Sequence, residues 1–177
     1  LDMLGGDAEI VINVQGDAVL TPPWVIGSVP VAMKAEPDIP MATPAVRMPP
    51  ETEAKFRAAK AAGEVGGTTV VFDKAMNALY FSKAVIPFQR NPAAGTPTWQ
   101  HIGLYGYRAD TLRRLVALEP SPLETAESLE QLRALENGIP IRVVAVDYRG
   151  RSAWSVDAPS DVQEVEAIIA REGELVP

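Results

Sequence analysis

The sequence contains no cysteine and one histidine, His101. A disulfide framework, a thiol nucleophile, a thiolate metal site and a multi-histidine centre are therefore excluded, and any metal must be held by oxygen. Basic charge is scarce: 16 Lys+Arg stand against 23 Asp+Glu, for a net −7. Nucleic-acid backbone is thus not the default partner, although a local basic pocket for phosphate stays open. Apolar runs are short. Val143-Val144-Ala145-Val146 is among the longest, far below the ~20 residues of a membrane span. No signal-peptide pattern heads the chain, which points to a cytoplasmic protein. Neither a Gly-x-x-x-x-Gly-Lys-Ser/Thr element, a Gly-x-Ser-x-Gly elbow nor a Gly-x-Gly-x-x-Gly fingerprint occurs, so P-loop, serine-hydrolase and dinucleotide readings drop out.

What is present is enough apolar residue for a core: 47% of 177 residues, consistent with a single domain over 1–177. The chain opens at Leu1, and a β-branched run, Ile10-Val11-Ile12 with Val14, follows almost at once. The numbering is therefore expected to start inside a longer protein. That run, closed by Gly16, predicts a strand buried on both faces. Pro22 and Pro23 open a helix through Met33 that Pro30 should bend or interrupt. Met41 to Val46 predicts a strand, with Pro44 placing it at an edge or a distortion, and Glu51 to Ala62 a helix stopped by Gly63.

Thr68–Phe72 and Ala78–Ser82 predict a hairpin, and the breakers between Ile86 and Gln100 predict a loop. His101 to Tyr107 alternates like one strand, followed by a helix over Asp110–Val116. Leu129, Leu132 and Leu135 recur at helical spacing inside Pro122–Asn137, which reads as one helix stopped by Asn137-Gly138. Ile141–Val146 predicts a buried strand, and Asp161–Arg171 a final helix with Ser160 as N-cap. Strands alternating with helices point to a three-layer α/β fold with some antiparallel pairing.

Asp17 follows a strand through Gln15 and Gly16, where ligands of α/β sheets collect; it either holds Mg²⁺ or caps a turn. Asp157, between Ser155-Val156 and the last helix, has the same choice: a second oxygen ligand, or part of an Asp-Ala-Pro helix entry. His101 is either a structural hydrogen-bonding residue or a site residue. Arg90 either forks onto a substrate carboxylate or is solvated. Glu130 and Gln131 fall in the middle of the Leu-rich helix, on its polar face unless a site claims them.

Taken together and in order, five blocks resemble the CMP-Kdo synthetases, the 3-deoxy-manno-octulosonate cytidylyltransferases. They are Asn13-Val14-Gln15-Gly16-Asp17; Ala78 to Arg90, with Ile86-Pro87-Phe88-Gln89-Arg90; His101-Ile102-Gly103-Leu104-Tyr105-Gly106-Tyr107-Arg108; Ser121-Pro122-Leu123-Glu124 with Leu129-Glu130-Gln131-Leu132-Arg133; and Val156-Asp157-Ala158-Pro159-Ser160-Asp161. The likeness runs from Ile10 to Ile168. It implies a Rossmann-like nucleotide-diphospho-sugar transferase fold with an added antiparallel region, usually a homodimer. It also implies transfer of a cytidylyl group from CTP to the anomeric hydroxyl of Kdo. Pyrophosphate leaves, and CMP-Kdo goes on to lipopolysaccharide or capsule.

By the same resemblance Asp17 and Asp157 bind Mg²⁺, Arg90, His101, Tyr105, Glu130 and Gln131 form the sugar site, and Gln15 lies at the family's active-site glutamine. The implied chemistry is direct displacement at the α-phosphate without a covalent enzyme intermediate. Three departures stand out. Ala18-Val19-Leu20 replaces the usual Glu-Pro after the aspartate, Glu64-Val65-Gly66-Gly67 replaces an Asn-Pro-Asn-Val-like stretch, and Trp154 precedes the last block. The family's Gly/Arg/Lys-rich triphosphate loop has no counterpart here. A molecule beginning at Leu1 is accordingly expected to be a non-catalytic remnant, and the Ala18-Val19-Leu20 departure opens another 3-deoxy-2-keto sugar acid, amino-Kdo or sialic-type, as substrate.

Overall fold

A computed structural model describes residues 8–91, 95–154, 156 and 159–175, with only the backbone of Ser160. Its strands are β1 (Ile10–Val14), β2 (Met41–Arg47), β3 (Thr68–Phe72), β4 (Ala78–Ser82), β5 (Trp99–His101), β6 (Leu104–Arg108) and β7 (Ile141–Val146). The helices are α1 (Pro23–Ala35), α2 (Pro50–Ala61), α3 (Ala109–Val116), α4 (Pro122–Glu127), α5 (Gln131–Glu136) and α6 (Pro159–Glu172). The strands form one mixed sheet in the order β1-β6-β2-β5-β3-β4, and β7 adds to β2 in parallel.

The alternation of side chains along the central strands builds the layers. Met41 and Ala45 of β2, Tyr105 and Tyr107 of β6, and Ile141 and Val143 of β7 face one core with Leu132 and Ala134 of α5. Ala42, Leu104, Val144 and Val146 face the other, beneath Val25, Val29 and Met33 of α1. Gly106 permits that second packing: a Cβ there would lie 2.6 Å from both Met33 Sδ and Val29 Cγ1. The β3–β4 hairpin returns to β7, where Val143 N–H donates to the Met76 carbonyl at 2.7 Å. A third, smaller cluster docks α6 through Val165 and Ile168 onto Leu20. The three-layer α/β arrangement with antiparallel pairing matches the expectation.

Six local readings are corrected. β1 is half-exposed and pairs antiparallel with β6 alone among the described strands, so it is not buried on both faces. α1 continues through Pro30. β2 is a buried central strand despite Pro44. The Pro44 carbonyl accepts from Ile102 N–H at 3.0 Å, so its ring faces the gap between β5 and β6, where no ladder donor is required. The His101–Tyr107 run is two strands on the same edge of β2, interrupted at Ile102-Gly103. The Pro122–Asn137 helix is two, α4 and α5, separated at Ser128, whose φ of 54° is left-handed. Ser160 lies within α6 instead of ahead of it.

Candidate active site

A cleft of about 600 Å³ opens where these breaks converge. One wall is the segment after β1. Ala18 N–H donates to the Gln15 carbonyl at 3.2 Å and closes a turn that presents Asp17 to the cleft. Among the described residues no side chain pairs with its carboxylate. Gln15 lies over Gly103, where a Cβ would come within 2.8 Å of its Oε1. Val156 N–H donates to the Asp17 carbonyl at 3.0 Å, bringing the chain at residue 156 against this turn. Asp157, like Ser155 and Ala158, lies outside the described residues.

The floor comes from the β5–β6 interruption. His101 is buried, with Nε2 2.9 Å from Thr43 Oγ1. Its ring meets Phe81 edge-on at 5.0 Å and lies 5.4 Å from Tyr105. Burial, reinforced by the positive charge of Lys83, lowers its pKa to about 3, so the imidazole is neutral at physiological pH. Tyr105 is held well above its usual value, first by burial and then by Tyr107 and Glu130, and stays a phenol.

The opposite wall is the α4–α5 junction. The left-handed turn at Ser128 reverses the chain, leaving Glu130 exposed at the N-cap of α5 and Gln131 in its first turn. Glu124 braces the two helices. It accepts from Arg133 Nε at 2.7 Å and from Ser121 N–H at 3.1 Å, and also pairs with Arg133 Nη2. Gln131 is 4% exposed and lines the cleft, yet its Nε2 has no partner among the described residues. An unpaired buried amide costs stability unless a ligand or water completes it.

Lys83, just past β4, is the only cation lining the cleft among the described residues. Glu127 fixes its backbone by accepting from Lys83 N–H at 2.8 Å and from Ser82 Oγ at 2.7 Å, tying β4 to the α4–α5 junction. Neither Lys83 nor Glu127 was singled out from sequence, although a cation directly following a strand was a usable signal. Arg90, which was, is exposed and outside the lining of the cleft. Gln15, Asp17, His101, Tyr105, Glu130 and Gln131 all line it.

The buried imidazole has a consequence for acid stability. Its folded pKa of about 3 lies below the ordinary 6.5, so the unfolded chain binds the extra proton between those values and stability falls as pH drops through that window. The slope approaches about 1.4 kcal/mol per pH unit. Glu172 adds a second window. Burial opposes its charge, but hydrogen bonds from Ser152 and Arg171 prevail and hold it at about 2, against 4.5. Stability from this group is present above 4.5 and lost toward 2. Urea unfolding at pH 7, 5.5 and 4.5 is expected to show a falling midpoint, and His101→Asn should flatten the dependence between pH 6.5 and 4.5.

Among the described residues no cluster of three or more His, Cys, Asp or Glu forms. Asp17 nevertheless offers an uncommitted carboxylate at the open cleft, and Mg²⁺ commonly takes only one or two protein carboxylates, leaving its other positions to water and phosphate. The donor set present is compatible with that hard cation.

Among known proteins, a cytidylyltransferase family model matches residues 2–142. A curated 3-deoxy-manno-octulosonate cytidylyltransferase from Maricaulis maris (strain MCS10) is 71% identical over 173 residues, covering 98% of this chain and 67% of that protein. One of the same description from Solibacter usitatus (strain Ellin6076) is 40% identical over 162 residues, covering 92% of this chain and 60% of the relative. A solved CMP:2-keto-3-deoxy-manno-octonic acid synthetase, complexed with CTP, superposes with a TM-score of 0.79 at 35% identity, covering 97% of this chain and 66% of that one. The chain thus spans about two thirds of the length of the proteins it matches. No described helix is long and apolar enough to cross a membrane. With two relatives well above 30% identity and a family model over most of its length, this chain belongs to the cytidylyltransferases, in the CMP-Kdo synthetase family.

Proposed function

We propose that the cleft receives an acidic, polyhydroxylated sugar, and that the protein transfers a cytidylyl group from CTP to the anomeric hydroxyl of Kdo with release of pyrophosphate. The observation that carries this reading is that the Lys83 ammonium and the buried Gln131 amide line one cleft, the amide Nε2 having no partner among the described residues. The ammonium matches a carboxylate and the amide a hydroxyl oxygen. The neutral imidazole of His101, the Tyr105 phenol and the Glu130 side chain add hydrogen-bonding groups around them. Positioning by such groups is the protein's main contribution to a direct displacement, in which the sugar hydroxyl attacks the α-phosphate and pyrophosphate leaves.

Asp17, together with Asp157, would hold Mg²⁺. When bound, that ion supplies charge neutralisation on the phosphates and lowers the pKa of the attacking hydroxyl. Gln15 lies beside Asp17 and orients oxygens near it. The cleft contains no cysteine, and its histidine is buried and neutral, consistent with chemistry that forms no enzyme-bound intermediate.

The test is pyrophosphate release with CTP, Kdo and Mg²⁺, with controls lacking sugar and containing EDTA. Kdo-dependent release that EDTA abolishes is the expected result. Kdo binding by calorimetry without release reduces the protein to a sugar-binding module. Faster release with a competing sugar acid moves the substrate to that acid. Lys83→Met should raise the sugar KM about 10–100-fold, the size of a lost charge-assisted contact, with little effect on the KM for CTP. A larger sugar-KM effect from Arg90→Ala would return the carboxylate contact to Arg90.

A further inference from the structure

Thr43 of β2 is fully buried, and its hydroxyl stands at the centre of three contacts. Its Oγ1 is 2.8 Å from the Leu104 carbonyl, 3.3 Å from the Ile102 carbonyl and 2.9 Å from His101 Nε2. A hydroxyl has one proton. If that proton pointed at the imidazole, the oxygen would face two carbonyl oxygens with nothing between them. Given to the Leu104 carbonyl, it leaves an oxygen lone pair toward Nε2, which must then carry its own hydrogen. The interruption between β5 and β6 creates this arrangement, because it turns the Ile102 and Leu104 carbonyls toward the same side chain.

We infer that Thr43 is a positioning residue that locks His101 in the Nε2–H tautomer, so that the ring offers a bare Nδ1 acceptor to the sugar and the site selects a hydroxyl donor at that point. Among the described residues nothing donates to Nδ1, and His101 lines the cleft. The same atom rejects a ligand that presents a carbonyl or ether oxygen there, since two acceptors would meet. The ring cannot rotate to reverse the choice: Phe81 packs on it edge-on and Tyr105 covers another side. The inference deepens the sugar-acid reading of the cleft and rests on it for the ligand, but not for the tautomer.

Because His101 is the sole histidine, long-range proton–nitrogen correlation spectra of the isotope-labelled protein read its tautomer without ambiguity. A proton on Nε2 and a bare Nδ1 are expected in the wild type and in Thr43→Ser, and a mixture of both tautomers in Thr43→Val. A proton on Nδ1 in the wild type, or an unchanged tautomer in a folded Thr43→Val, overturns the assignment. The wild-type spectrum decides it alone if the valine variant fails to fold. Calorimetry with Kdo should then show roughly 3- to 10-fold weaker binding for Thr43→Val, the worth of one neutral hydrogen bond, and recovery to within about 2-fold in Thr43→Ser. Unaltered affinity in a folded Thr43→Val overturns the selection of a hydroxyl donor. Absence of Kdo binding by the wild type overturns the sugar-acid reading instead, while the spectra still decide the role of Thr43.

Discussion

Asp17→Asn is expected to lower cytidylyl transfer by at least ~10³-fold while leaving the thermal midpoint unchanged, because a carboxylate that positions a metal and phosphates contributes on the order of 4 kcal/mol or more to a transition state. The fold gives the second half of this expectation its force. The backbone of the Gln15–Ala18 turn holds itself by main-chain bonds, and Val156 bonds the Asp17 carbonyl, not its side chain. Asparagine keeps the shape and removes only the charge. Turnover of Asp17→Asn should be partly restored at high Mg²⁺ if the lost contact is to the metal. Turnover within 10-fold of wild type at ordinary Mg²⁺ would refute the metal assignment, and a parallel loss of stability would make Asp17 a turn residue instead.

The second large effect concerns stability. Gly106→Val should cost about 4 kcal/mol and Gly106→Ala about 2 kcal/mol, in the upper range for overpacking a filled core. The backbone at Gly106 needs no special conformation; the constraint is space. A Cβ would stand 2.6 Å from Met33 Sδ and from Val29 Cγ1, and 3.2 Å from Ile12 Cδ1. Met33 can shift, since its thioether chain is flexible, but Val29 is held by its branch and by a fully buried helix face. Pairing Gly106→Ala with Val29→Ala should therefore recover about 1 kcal/mol relative to the sum of the single changes. Urea unfolding of the four proteins provides the cycle. Full additivity would mean that α1 simply rides outward.

The elements whose signal is local were legible in the sequence. The β3–β4 hairpin, α2 and β7 lie where composition and periodicity place them, because each is specified by its own residues. What escaped was specified by partners. Pro44 read as an edge residue since a central strand needs every donor; only the gap opposite it, made by residues near position 102, removes that need. Ser128 read as helix because Leu129, Leu132 and Leu135 keep the spacing across it, while the reversal is held by the Glu124–Arg133 brace and by Glu127 reaching back to β4.

The same limit applies to the candidate site. Its composition was visible through the family-like blocks, and Gln15, Asp17, His101, Tyr105, Glu130 and Gln131 do come together. The cation was not: Arg90 stood in the motif, whereas Lys83 stands in the cleft. Thr43 was invisible, lying 58 residues from the histidine it contacts.

The interrupted edge of β2 leaves the cleft on a seam. Ile102 and Tyr148 belong to the hydrophobic layer under α1, whereas Tyr105 and Leu129 belong to the layer on the other face of the sheet. A sugar acid held between Asp17 and Gln131 would therefore touch groups backed by both layers, and its binding energy would be felt by both at once. At a ligand concentration of 100 times Kd that energy adds about 2.7 kcal/mol to the folded state. Amides of α1 and of α5 should then slow together in hydrogen exchange, the two halves opening as a single cooperative unit when the cleft is filled.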